Sequence, residues 1–186
     1  MGMVILQMGV SLDGFVARPQ GELDWLLPAE HEDVTAWKLA SLRQVGTHIM
    51  GRVTYEGMAA HWPSATDDYA APMNELPKVV FSSTLQKAEW AQTSIARGDL
   101  GQEIAALKRQ PGGHIMAHGG ATFVQALSRL GLVDEYRLVI RAVALGDGLP
   151  LFHDLPAPLA LSLVDASTYP DGTAIHVYRP ATRSGG

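Results

Sequence analysis

What most constrains this chain is an alternation that stops. Short apolar runs alternate with stretches of helical spacing as far as Gly131, and beyond it three strand-like runs follow with no helix between them. VILQMGV (residues 4–10), THIM (47–50), KVVF (78–81) and HIMAH (114–118) read as buried strands. Residues 30–45 place Val34, Trp37, Leu39, Leu42 and Val45 at roughly helical spacing, with Pro28 ahead and Gly46 behind. GRVTYEGMAA, DLGQEIAALKR and ATFVQALSRL read as further helices, Asp99 capping the start of the second and Gly131 stopping the third. Repeated strand-helix-strand units predict an α/β fold with a mainly parallel sheet and helices on both faces. EYRLVIRAVAL, LALSLVDAST and AIHVYRP predict an antiparallel C-terminal end.

Length and composition narrow the function. The 186 residues suit one domain over residues 1–180, and the polar ATRSGG (181–186) reads as a flexible tail. Lys and Arg number 14 against 19 Asp and Glu, without a basic stripe, which argues against a general nucleic-acid binder. The absence of cysteine removes disulfides, thiolate nucleophiles and cysteine-ligated metals. The first residues show neither a basic leader nor a bilayer-length apolar run, so the expected location is the cytoplasm, without a membrane partner. The apolar run around YRLVIRAVAL offers an edge or face that a homodimer would cover.

Ligands of open parallel sheets bind beyond the carboxyl ends of the strands. Three such ends carry groups suited to phosphate: Gly51, Arg52 and Thr54 after THIM; Ser82 and Ser83 after KVVF; Gly119, Gly120, Ala121 and Thr122 after HIMAH. Glycine lets backbone N–H groups approach an anion, a helix start adds about half a positive charge, and arginine supplies a planar fork. Each piece alone has a plainer reading, since paired glycines commonly make a tight turn. Neither the Rossmann fingerprint nor the Walker loop is present.

Taken in order, VSLDGFVA, MGRVTYEGM, VVFSSTL, HGGATFVQALSRLGLVDEY and LGDGLPLF resemble the dihydrofolate reductase superfamily, in particular the reductase branch typified by the C-terminal domain of RibD. The resemblance runs from Val4 to about Pro180 and implies a three-layer NADPH-dependent reductase. It implies that Gly51, Arg52 and Thr54 grip phosphates of NADPH, that Ser82 and Ser83 lie near the adenosine, and that Gly119 and Gly120 underlie the pyrophosphate. It further places Gly9, Val10 and Val16 against the nicotinamide beside a mobile SLDG loop, and suggests a cis peptide at the glycine pair.

The substrate side draws on fewer residues. DWLLPAE resembles the dihydrofolate reductase stretch whose closing acid contacts the pterin, which nominates Glu30 as proton donor or anchor, with Asp24 second. A carboxylate at a helix start also has a dipole role, and Asp13 could close an Asx-turn. Riboflavin-pathway reductases carry an aspartate where this chain has Met58 or Ala59, so a pteridine and an aminopyrimidine both stay open as substrates. His118 would lie at the substrate edge of the nicotinamide, or simply bond backbone, while Trp25 and Trp62 lie where they could wall a flat heterocycle. His114 and His118 form H-x-x-x-H, but on a strand and without the H-E-x-x-H glutamate, so no metal is expected. A nucleotide binder without turnover, or an interaction protein whose glycines only make turns, are the alternatives.

Overall fold

The computed structural model describes residues 2–26 and 30–181; Pro28 and residues 182–186 of the expected tail lie outside them. In chain order the elements are β1 (Val4–Ser11), β2 (Phe15–Ala17), α1 (Glu32–Leu42), β3 (Val45–Gly51), α2 (Arg52–His61), α3 (Ala70–Glu75), β4 (Lys78–Phe81) and β5 (Thr93–Ala96). There follow α4 (Leu100–Arg109), β6 (His114–Ala117), α5 (Ala121–Arg129), β7 (Glu135–Arg141), β8 (Leu149–Pro150), β9 (Leu161–Thr168) and β10 (Ala174–Pro180).

One sheet runs β5-β4-β3-β6-β1-β7-β10-β9. From β5 to β7 neighbouring strands are parallel, and β10 is antiparallel to both β7 and β9. The antiparallel end therefore begins one strand later than the sequence suggests. β7 lies parallel to β1 in the interior, so YRLVIRAVAL cannot be an open edge; the outer strand is β9, which leaves Leu163 and Val164 exposed.

Alternation along the strands divides the core between two faces. On one, Val4, Leu6 and Val10 of β1 meet Ile104 of α4 and Val124 and Leu127 of α5. On the other, Ile5 and Met116 meet Leu42 of α1, Tyr55 of α2 and Met73 of α3. Each fully buried aliphatic side chain contributes on the order of 1.5–3 kcal/mol, which gives α1 to α5 their docking positions.

Four elements were not expected. β5 has few apolar residues, and α3 is a six-residue helix inside the Pro-rich 62–77 connection. β2 and β8 form a separate two-stranded ribbon. Helix α1 starts at Glu32 behind an N-cap at His31, whose Nδ1 accepts from Asp33 N at 3.3 Å, so Glu30 precedes the helix. Asp99 does cap α4, accepting from Gln102 N at 3.0 Å, and α5 is followed by Gly131 at φ 63°. Among the described residues no helix is long and apolar enough to cross a membrane.

Candidate active site

The carboxyl ends of β1, β3, β4, β6 and β7 open on one edge of the sheet. At the adjacent ends of β3 and β6 two helices begin on glycine N-caps, Gly51 for α2 and Gly120 for α5. Neither start is closed by a side chain, whereas α1 and α4 are. Ala121 and Thr122 open α5. Thr54 Oγ1 donates to Gly119 O at 2.6 Å and so ties the two starts together. Gly120 has φ 96°, and a Cβ there would meet Thr54 Oγ1 at 2.9 Å; a Cβ on Gly51 would press on Phe123 at 3.2 Å. Gly120 is therefore required by its positive φ as well as by close approach, whereas a side chain at Gly51 would need Phe123 to yield.

Arg52, about half exposed, pairs with Glu56 at 3.2 Å and donates to Thr84 Oγ1 at 3.0 Å. The Ser82 hydroxyl accepts from Thr84 N and Leu85 N at 3.2 and 3.0 Å, so it shapes the loop that presents Thr84. Exposed Ser83 accepts through its carbonyl from Arg97 at 3.2 Å. Arg97 and Thr84 are thus additions that the serines alone did not signal. Thr54 likewise spends its hydroxyl proton on Gly119 and acts as a brace.

The nicotinamide expectation is corrected in part. Val10 and Val16 are 4% and 2% exposed within the core, because β1 turns Val10 toward the α5 face, so their side chains cannot line a cleft. Gly9 turns the other way, and a Cβ there would strike Leu26 at 2.7 Å. The SLDG loop, expected to be mobile, is tied down: Asp13 accepts from Ser11 Oγ at 2.7 Å, Leu145 N at 3.0 Å and Gly146 N at 2.8 Å. These bonds, that to Ser11 first, hold its carboxyl at about 2. There is no cis peptide among the described residues, Gly119–Gly120 included.

The acid candidates do not converge. Asp24 is exposed and bonded to Arg18 at 2.7 Å, an interaction that lowers its pKa below the usual carboxylate value. Glu30 is not an isolated buried acid either, since Oε1 pairs with Lys38 at 2.5 Å and Arg141 at 3.5 Å, and Oε2 accepts from Thr35 Oγ1 at 3.4 Å. Of the tryptophans, Trp90 is core and donates to Asn74 Oδ1 at 2.7 Å, Trp62 packs beside that cluster, and Trp37 lies 6.0 Å from the Arg137 guanidinium. Trp25 is 7% exposed, and its buried Nε1–H has no hydrogen-bond partner among the described residues.

His118 meets a residue the sequence did not single out. Its Nε2 lies 2.7 Å from Nδ1 of His48, which is fully buried on β3. His48 Nε2 lies 3.1 Å from Pro72 O, which only accepts, so His48 carries its proton on Nε2 and accepts on Nδ1 from His118 Nε2–H. Burial, with a smaller push from Lys78, holds His48 at about 4, and burial followed by His48 holds His118 well below its ordinary value. Both rings are neutral at pH 7. His114 sits at the other end of β6, where its Nδ1 accepts from Met3 N at 3.3 Å. The available signal for His48 was a polar residue inside an apolar strand, and Gln7 in VILQMGV gives the same signal.

A parallel sheet closed by antiparallel C-terminal strands, with uncapped helix starts at its carboxyl edge, defines the dihydrofolate reductase-like class of reductase folds. The RibD C-terminal domain model matches residues 2–175, and the chain belongs to that family. It is 32% identical over 180 residues to YyaP of Bacillus subtilis strain 168, whose name marks it as uncharacterized, covering 94% of this chain and 93% of that one. Among solved structures it resembles a candidate riboflavin biosynthesis protein from Shewanella sp. PV-4 (TM-score 0.80, 24% identity, 98% of this chain and 100% of the other). It also resembles dihydrofolate reductase from Enterococcus faecalis, solved with NADP(H) (TM-score 0.66, 17% identity, 97% and 98%).

Proposed function

We propose that the protein is an NADPH-dependent reductase acting on a pteridine or an aminopyrimidine, of the 5-amino-6-(5-phosphoribosylamino)uracil reductase or dihydrofolate reductase type. The observation that carries this is the braced pair of uncapped helix starts at Gly51 and Gly120, with Arg52 alongside. Unpaired N–H groups at two adjacent helix starts suit a diphosphate, and Arg52 with Arg97 beside Thr84 suits a further phosphate on the adenosine. NADPH, when bound, supplies the hydride. The chain's part is to fix its phosphates at α2 and α5, to seat the ring beside Gly9, and to hold the substrate over the β1 and β6 ends.

Titration with NADPH and then NADH, followed by tryptophan fluorescence, tests the reading. Micromolar NADPH binding with much weaker NADH binding is expected; equal affinity would remove the role given to the phosphate cluster, and no binding of either would end the proposal.

One observation favours a second reading, a nucleotide binder without turnover: both carboxylates nominated as proton donors are engaged by cations. Sustained NADPH consumption with any pteridine or aminopyrimidine would exclude it.

A further inference from the structure

A groove of about 260 Å³ lies between α1 and strands β7, β10 and β9, away from the candidate active site. Gln44, one residue ahead of β3, and Glu135, the first residue of β7, place it at the amino edge of the sheet. Arg137 lines this groove and is 9% exposed; a cation buried that far ordinarily has its donors taken up by protein groups. Here Nε donates to Glu135 Oε1 at 2.7 Å, but no described residue accepts a hydrogen bond from Nη1 or Nη2, which carry four N–H donors between them. Gln7, the register neighbour on β1, does not take them, since its carboxamide oxygen is itself without a hydrogen-bond partner among the described residues. Neither Nη nitrogen is sealed from solvent, so the terminal fork is open to the groove.

The charges around the fork limit what can enter. Glu135 Oε2 accepts from Arg179 Nε at 2.9 Å and Nη2 at 2.8 Å. Burial pushes the Glu135 carboxyl up, but the hydrogen bonds from Arg137 and Arg179 outweigh it and hold the group below its ordinary value, so it stays ionised. Two arginines against one glutamate leave a single positive charge. Asp165, exposed on β9 and bonded through Oδ1 to Ala166 N at 2.9 Å, is the carboxylate on the rim. One negative charge is therefore balanced, whereas a dianion would set a second charge against Glu135 and Asp165. The planar fork matches the two oxygens of a carboxylate, and Trp37, 6.0 Å from the guanidinium, with Val177 covers an apolar portion. The volume falls just below the roughly 300 Å³ at which pockets for drug-sized ligands begin, so the occupant is small.

We infer that this groove is a second ligand site, which takes a small monocarboxylate on Nη1 and Nη2 of Arg137 with its apolar part against Trp37. It stands independently of the reductase reading.

Titration of the full chain with sodium benzoate in low salt, followed by ¹H–¹⁵N correlation of the backbone, arginine Nε–H and tryptophan Nε1–H groups, tests the site. Benzoate should bind with a Kd of roughly a millimolar or tighter, and uncharged benzamide at least about tenfold more weakly. The Arg137 and Trp37 side-chain signals should move while the Gly51 and Gly120 amides stay in place. Arg137→Lys, which keeps the charge and loses the fork, should weaken benzoate by about tenfold or more. Because that variant disturbs a buried ion pair, the exposed Asp165→Asn supplies an independent measure: with the repelling charge gone, benzoate should bind about two- to threefold more tightly. No benzoate binding by the wild type, equal affinity for benzamide, shifts confined to the Gly51–Gly120 edge, or unchanged affinity in Asp165→Asn would overturn the inference. So would undiminished binding by folded Arg137→Lys. A wild-type mass of two chains that falls to one on adding benzoate would assign the fork to a carboxylate of a second copy and overturn the small-ligand site.

Discussion

Two parts of the candidate site are built from different materials. On the β3–β4 side the working groups are backbone: N–H groups of α2 and α5 freed by Gly51 and Gly120, with carbonyls of residues 82, 83 and 85 orienting Arg97. Elsewhere they are side chains brought together from distant positions: Glu30 with Arg141 of β7, and His48 of β3 with His118 after β6. A backbone seat is specified by a few consecutive residues. A side-chain constellation depends on which strands become neighbours.

The largest expected effect probes the side-chain half. Unfolded histidine takes up a proton near pH 6.5 and His48 in the fold only at about 4, so between those values the unfolded chain holds more protons and stability falls as pH falls. Acidification from pH 7 to 4 should cost about 3 kcal/mol through His48 alone, with His118 adding in the same direction. Urea denaturation across that range measures it. His48→Gln should flatten the slope; an unchanged slope would mean that the pair is not buried neutral.

Next in size is the backbone half. Gly120→Val forces a β-branched residue to φ 96° and drives its Cβ against Thr54, so a loss of roughly 1–3 kcal/mol in stability is expected. NADPH binding should be lost with it, as calorimetry and fluorescence titration would show. Arg52→Ala should weaken NADPH by roughly tenfold or more while barely affecting NADH, the loss expected when charge-assisted hydrogen bonds are removed. The smallest effect should be that of Asp24→Asn, which removes an exposed ion pair and should leave melting temperature and NADPH oxidation unchanged. A large loss of turnover there would reinstate Asp24 as a proton donor.

A homodimer remains a proposal, moved from β7 to β9, whose Leu163 and Val164 are exposed at the sheet edge. Leu163→Lys with Val164→Lys should shift the mass measured by light scattering to that of one chain. A wild-type mass already equal to one chain at micromolar concentration would refute the dimer.

Legibility in the sequence follows the same division. Asp99, the Gly51–Arg52 turn and the Gly119–Gly120 break act within a few residues of themselves, and propensity and capping reveal such features directly. Val10 lies in the core because its parity on β1 is opposite to that of Gly9, and parity is settled only by packing. The pairing of Glu30 with Arg141 was not legible in its motif, since Arg141 lies 111 residues away.

The main alternation of strands and helices, the two glycine-started helices and the phosphate-suited residues were determined by the sequence alone, because local backbone preference and hydrophobic period set them; the short β2, α3, β5 and β8 were not. Only the tertiary structure decided that β6 would lie between β3 and β1. That placement brings His118 to His48, since groups 70 residues apart acquire a common chemistry only when the sheet fixes its register.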